Sequence, residues 1–578
     1  MKRCPECRRD YYDDTLLYCL DDGNELLEGP ATGSTDDEPA TAIFHSTEPP
    51  NETATRAQIH NTAQTAVLPS GISDIPRSKA SDKRLIFVPV LLTIIVLGGF
   101  FGYRYITPAK QIESIAVMPF VNESGNADVE YLSDGMTETL IGSLTQLPNL
   151  NVKARSSVFR YKGKETDTKT IGKELNVQAI LSGRVSQRGD QLNLSLELVD
   201  VATENAIWSQ QYSRKQSDLV TLQSDIARDV SSKLKSKLSN AEVASVEKNS
   251  TANSEAYQLY LQGRYYWNKR ETKAFEKAVE FFKQAVEKDP NYALAYSGLA
   301  DTYSLIPAYG NFRPKDYMPQ AKQAALKALE LDPNLAEAHA SLGEAIFYYD
   351  YDIAGAEKAF KKAIELNPKY ATAHQWYGEL LRLSGRYDEG IKEMSKALEL
   401  DPFSWVINDQ MVELLRAAKR FDEALLQNKK LNELFLDEGL FHYNNSTIFE
   451  AQDKYPEAFE EFLLMVKGDK DAKPEEIQEM KDVYEKGGWD GFVKWSAEDS
   501  LKSLSDKQAK DKNEYVPAIS FAVAYADGKD KDKTIEYLNK AYDERSMAMI
   551  GLKVNPKWDF LRDDPRFKEL VKKVGIPD

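Results

Sequence analysis

The chain is almost free of cysteine. Its thiols, Cys4, Cys7 and Cys19, all fall within the first 19 of 578 residues, so no disulfide framework staples the rest. Positive charge is also short. Lys and Arg number 74 against 91 Asp and Glu, a formal net charge of -17. Such a chain repels phosphate backbones, which argues against nucleic acid as a partner. Catalytic signatures are missing too. There is no H-E-x-x-H, no G-x-S-x-G and no glycine-rich phosphate cradle. The abundant Asp and Glu along helix faces read as solvated surface, not as acid–base pairs. A hydrolase would have to rest on Asp134, Glu138 and Arg155, and no recognisable constellation joins them. The chain therefore reads as non-enzymatic, with no catalytic residues and no small-molecule substrate.

A long uncharged run occurs at Leu85 to Tyr103, LIFVPVLLTIIVLGGFFGY. At about 1.5 Å per residue it spans about 28 Å, close to the roughly 30 Å hydrocarbon core of a bilayer. The expectation is one transmembrane helix over 85–106. Arg77, Lys79, Lys83 and Arg84 precede it, and Arg104 and Lys110 follow. That bias implies a single-pass inner-membrane protein, with its N-terminus cytoplasmic and its C-terminal domains periplasmic. The thiols then sit on the reducing side. Residues 28–84 are rich in Thr, Ser, Pro, Ala and Asn with few large apolar side chains, the composition of a disordered linker.

Residues 1–27 carry CPECRRDYYDDTLLYCLDDG. The C-x2-C pair Cys4 and Cys7 points two thiolates at one tetrahedral ion, Cys19 can supply a third ligand, and Asp22 stands where a fourth cysteine would belong. The segment resembles a zinc ribbon, and the resemblance implies a Cys3Asp zinc site. A metal-free remnant and a redox sensor are the alternatives. A piece this short could hardly fold without metal.

Residues 112–240 alternate strand and helix signals. Ile115–Phe120 is an apolar strand, Tyr131–Leu147 an amphipathic helix and Ile171–Leu175 a short helix. Ala179–Ser186, Leu192–Leu198 and Ala206–Tyr212 read as strands, with Arg188-Gly189-Asp190 as a hairpin turn and Leu219–Leu238 as a closing helix. IAVMPFVNESG, YLSDGMTETLIGSLTQLPNLNVKARSSVFRYKGK and IGKELNVQAILSGRV resemble the TolB-N-terminal-like, FlgO-like domain. The resemblance implies a non-enzymatic α/β fold.

From residue 253 the chain repeats. Residues 371–404 form a 34-residue unit with Tyr377-Gly378 in its first helix, Gly390, Met394 and Ala397 in its second, and Pro402 at its end. The same anchors recur as Ala278, Phe282, Ala285 and Pro290; as Ala321, Ala325, Ala328 and Pro333; and as Ala356, Phe360, Ala363 and Pro368. This resembles the tetratricopeptide repeat. Small residues let paired helices approach, large ones fill the gap to the next unit, and proline ends the second helix. No unit buries its apolar face alone, so the units stack. The expectation is an all-α solenoid over 253–470, an irregular helical segment over 471–514, and a last repeat with a cap over 515–578. His339, His374 and His442 fall at equivalent early positions of first helices, a placement that argues packing.

By position, the resemblance implies a concave groove showing Ser297, Asp301, Glu344, Tyr348, Gln375, Glu379 and Arg382 to a protein or peptide partner. The leading reading is a membrane-anchored interaction scaffold of the bacterial cell envelope. The alternative is a transmembrane signalling or regulatory protein with a cytoplasmic metal-binding head.

Overall fold

The computed structural model describes residues 112–126, 129–234, 239, 251–511 and 514–576, and three short strands nearer the N-terminus. The chain divides into two units, Met1–Ile94 and Ile95–Asp578. In the first, β1 (Lys2–Arg3), β2 (Asp10–Tyr11) and β3 (Leu27–Glu28) form an antiparallel sheet in the order β2-β1-β3. The expected zinc ligands, the linker and the expected span at 85–106 lie outside the described residues. The single-pass inner-membrane placement is corrected. Among the described residues no helix is long and apolar enough to cross a membrane. The longest, of 37 residues, carries charges along its whole length.

The second unit opens with a sheet domain. Its elements are β4 (Ser114–Val117), β5 (Val121–Asn122), α1 (Glu130–Thr145), β6 (Asn151–Val152), α2 (Arg155–Phe159), α3 (Thr168–Leu175), β7 (Ala179–Arg188), β8 (Gln191–Asp200), β9 (Ala206–Lys215) and α4 (Leu219–Leu234). The strand order is β6-β4-β7-β8-β9, with β5 beside β7. β4 runs parallel to β6 and β7, and β7, β8 and β9 are antiparallel neighbours. β8 alternates as LNLSLEL demands. Leu192, Leu194, Leu196 and Leu198 are buried, while Ser195 and Glu197 face solvent. Leu132, Met136, Leu140 and Leu144 of α1 and Leu222, Ile226 and Val230 of α4 complete the same core. Gly189 makes the β7–β8 turn with φ 59°. The sequence reading misses β6 and α2, which are too short to show a period.

A solenoid of paired helices follows. Its first pairs are α5 (Ser254–Trp267) with α6 (Thr272–Lys288), α7 (Ala293–Leu305) with α8 (Pro314–Leu331), and α9 (Ala336–Ala345) with α10 (Ile353–Leu366). Then come α11 (Ala371–Leu383) with α12 (Tyr387–Leu400), α13 (Trp405–Ala417) with α14 (Phe421–Phe435), and α15 (Glu438–Glu450) with α16 (Tyr455–Gly468). The small residues work by contact. A Cβ on Gly263 or Gly298 would come within 2.5 or 2.6 Å of the buried Phe282 ring, so only glycine lets α5 and α7 close on it from either side. Second helices stop at Asp289, Asp332, Asn367 and Asp401, each followed by proline, which disfavours helix for the residue before it.

α17 (Pro474–Lys510) breaks at Gly488, whose φ of 60° and ψ of -157° are open only to glycine. The chain then turns back. α18 (Ala518–Asp527), α19 (Lys531–Asp543) and α20 (Pro565–Val574) share one core with Phe347, Tyr351, Phe360, Trp376 and Leu380 from the third and fourth pairs. Tyr351 donates its phenol hydrogen to the Ser546 carbonyl at 2.9 Å. The last pair therefore packs on the middle of the solenoid.

Candidate functional site: the cleft between sheet domain and repeats

α1 lies on the first repeat helix, α5. Gly135 permits the approach, since a Cβ there would sit 2.9 Å from Leu261. One turn on, Arg264 donates to Glu138 Oε1 through Nε at 2.8 Å and Nη2 at 2.6 Å, and Asn268 donates to Oε2 at 2.7 Å. Arg155 Nε stands 3.1 Å from the same carboxylate, near enough for an ion pair but not aligned as a hydrogen bond. Burial alone would raise the Glu138 carboxyl, yet the charges of Arg264 and Arg155 hold it below its usual range. Tyr257 donates to Thr139 at 3.0 Å.

The contact extends along the repeats. Lys369, between α10 and α11, donates to the carbonyls of Leu147 at 2.8 Å and Leu150 at 2.9 Å, just past the C-terminus of α1. A cation there also meets the negative end of the helix dipole. Between α12 and α13, Asp401 accepts from Ser156, and Phe403 lies 4.3 Å under the Arg160 guanidinium. The sheet domain thus touches α5 at one end and the loops leading into α11 and α13 further along. Between the two surfaces lies a cleft of about 1060 Å³, at the upper end of ligand-pocket volumes and in a place where such pockets recur.

Asp134, Glu138 and Arg155 all have partners within the sheet domain or across the docking contact. Glu138 and Arg155 belong to the docking network, and Asp134 accepts from Lys162 at 2.5 Å.

The expected groove residues divide. Ser297 and Asp301 line the cleft. Asp301 accepts from Ser341 and lies 3.9 Å from Arg264; burial pushes its carboxyl up to about 6. Glu344, Tyr348, Gln375, Glu379 and Arg382 do not line the cleft. Glu344, Gln375 and Glu379 are buried, because successive first helices pack against each other. Glu379 takes a two-point contact from Arg382 at 2.8 and 2.6 Å, and Arg382 also reaches Glu413 at 3.6 Å. Gln375 donates to Gln410 of the next repeat at 3.1 Å. Burial, with Glu379 and Asp301 nearby, pushes Glu344 up to about 8. Burial, Glu379 and Glu344 raise the half-buried Tyr348 phenol well above its usual range. These side chains form a ladder that joins repeats. The histidines also pack within repeats. His374 lies 2.7 Å from Glu393 and His442 2.6 Å from Glu461. The sequence reading singled out Glu138 and Arg155 only as candidates for a hydrolase and did not find Thr139 or Gln223, because nothing local announces a docking face.

Residues 346–404 match the tetratricopeptide-repeat model. The C-terminal region is a tetratricopeptide-type helical solenoid, the architecture of a protein-interaction scaffold. Residues 110–229 match the second domain of HilA/YgeH-like transcriptional regulators. Among curated proteins the chain is similar to "Putative adenylate cyclase 3" of Rhizobium meliloti, at 31% identity over 41% of this chain and 40% of that one. It is similar to the transcriptional regulator HilA of Salmonella typhimurium, at 33% identity over 15% of each chain. The chain spans two fifths or less of the length of these relatives. A thermophilic tetratricopeptide-repeat protein of Thermus thermophilus, TTC0263, overlays 34% of this chain and 99% of its own at 21% identity, with a TM-score of 0.29.

Proposed function

We propose that the protein is a non-enzymatic interaction scaffold whose distal repeats hold a protein or peptide partner. One observation carries this. Of nine exposed large hydrophobic side chains among the described residues, six lie within 405–464: Trp405, Leu426, Leu436, Tyr443, Tyr455 and Leu464. Leu426 and Leu436 are 69% and 78% exposed on α14 and its C-cap. Exposed apolar side chains concentrated in one stretch of the repeats are what a contact surface would need. Leu426 and Leu436 keep this exposure although the sheet domain reaches Phe403 and α17 packs on α16. The test is quantitative crosslinking and affinity capture from native cells. Wild type and Leu326→Glu, a change of an exposed leucine elsewhere, should retain the same partners, and the Leu426→Glu/Leu436→Glu double variant should lose them. Identical partner sets from all three would sink the reading.

A second reading is a regulatory protein, favoured by the likeness of 110–229 to a domain of transcriptional regulators and by the named cyclase relative. The TolB-like, FlgO-like character read from the sequence belongs with it. In this reading the head binds zinc through Cys4, Cys7, Cys19 and Asp22 and passes a signal to the repeats. Cys4 and Cys7 fall between β1 and β2 in sequence, Cys19 and Asp22 between β2 and β3. Elemental analysis should find about one zinc per chain and little in Cys4→Ser/Cys7→Ser; a metal-free wild type purified without chelator would refute it.

A further inference from the structure

Most charged side chains in the cleft between the sheet domain and the repeats already have partners. Glu138 is engaged by Arg264, Arg155 and Asn268. Asp301 has Ser341 and Arg264. Lys369 is spent on backbone carbonyls, and Lys396 pairs with Glu399 at 2.8 Å. Asp332 and Glu337 have partners as well, and Glu113 stands exposed at the rim. Most of these charges are already engaged, and although Arg155 Nε makes no hydrogen bond and Lys369 meets only carbonyls, six acidic side chains in the lining against four basic ones disfavour an anion there.

Neutral groups are on offer instead. Gln223 on α4 is only 7% exposed, and neither its Oε1 nor its Nε2 has a hydrogen-bond partner. Ser297 on α7 is 2% exposed, and its Oγ is also unpartnered. Both line the cleft. Buried polar atoms normally find partners, and leaving one unmet costs about 1–3 kcal/mol. Three such neutral atoms, with Arg155 Nε as a fourth atom lacking a hydrogen bond, sit on residues that line one cavity, and a ligand there could supply their bonds. A primary amide presents a donor and an acceptor side by side, the complement of two adjacent hydroxyls, each of which can give or take. Tyr257 and Tyr260 also line the cleft. Uncharged polar side chains in the lining outnumber charged ones about two to one.

We propose that this cleft binds an uncharged polyhydroxylated small molecule, a neutral mono- or oligosaccharide, held by the Gln223 amide and the Ser297 hydroxyl. The site joins the two parts of the second unit, so its ligand bridges the sheet domain and the repeats. The assignment stands apart from the partner surface on the distal repeats and from zinc in the head.

The full chain is the test object. Its probes are glucose, maltose, cellobiose, N-acetylglucosamine and chitobiose, read by ligand-observed NMR and by melting temperature. Glucose 6-phosphate and glucuronate serve as charged counterparts, and acetyl-trialanine-amide as a neutral peptide. At least one neutral sugar should bind and raise the melting temperature. Gln223→Leu should weaken it by about tenfold and Ser297→Ala by about threefold. Without sugar, Gln223→Leu should melt no lower than wild type, because it removes two unsatisfied atoms; if it does melt lower, Ser297→Ala carries the test alone. The proposal is overturned if no neutral sugar binds, if only the charged counterparts or the peptide bind, or if binding is indifferent to the variants that fold.

Discussion

Glu344 gives the buried ladder its sharpest test. Its carboxyl is buried on α9, with Glu379 and Asp301 nearby, and is pushed from 4.5 up to about 8. A carboxyl raised in the folded state keeps its proton after the unfolded chain has released it. The folded state then binds more protons between those two values, so stability falls as pH rises from 4.5 to 8 and the full penalty stands above 8. At about 1.4 kcal/mol per pH unit this amounts to at most about 5 kcal/mol, and coupling to Glu379 and Asp301 brings it to roughly 2–4 kcal/mol. Glu344→Gln preserves shape and hydrogen-bonding capacity while removing the titration. Urea unfolding of both proteins, followed by far-UV circular dichroism, reads the difference. Near pH 4 the two should be within about 0.5 kcal/mol, and near pH 9 the variant should be more stable by roughly 2–4 kcal/mol. Taking the difference between variant and wild type cancels groups that titrate in the same range without sensing Glu344, such as Asp401, and leaves the coupling to Asp301 within the range of roughly 2–4 kcal/mol. Parallel stability curves across the whole range would refute the argument that Glu344 is buried as an uncompensated acid.

Two further changes probe the docking and the repeat packing. Lys369→Met deletes the charge-assisted bonds to Leu147 and Leu150 and should cost about 1.5–3 kcal/mol, with faster hydrogen exchange in α1; unchanged exchange there would mean that the lysine does not hold the sheet domain. Gly263→Ala should destabilise by about 1–3 kcal/mol despite alanine's better helix propensity, because its methyl would meet Phe282, whereas Gly142→Ala, with open space around it, should be neutral or stabilising by calorimetry.

The repeats were legible because each unit carries its own instructions. Alanine and glycine at fixed spacings from Phe282 and Phe360, and proline after each second helix, are local signals that recur often enough to read. The strands of the sheet domain were legible for a related reason. LNLSLEL places one face of β8 in the core by alternation alone. β6 and α2 escaped because two or five residues hold no period. The groove was only half legible. A register argument placed Ser297 and Asp301 on first helices correctly, and they do line a cleft. The same register placed Glu344 and Glu379 on first helices too, but it carries no information about what packs on them.

The sequence by itself determined that 253–470 must form stacked helix pairs and that 112–240 must pair strands with helices, because hydrophobic period and breaker residues act within a few turns of chain. Only the tertiary structure decided that α1 docks on α5, that Glu138 finds Arg264 across 126 positions, and that the last helix pair returns to Tyr351 and Trp376. Those choices depend on which exposed apolar faces fit one another once the elements exist. Shape complementarity between surfaces distant in sequence leaves no periodic mark along the chain.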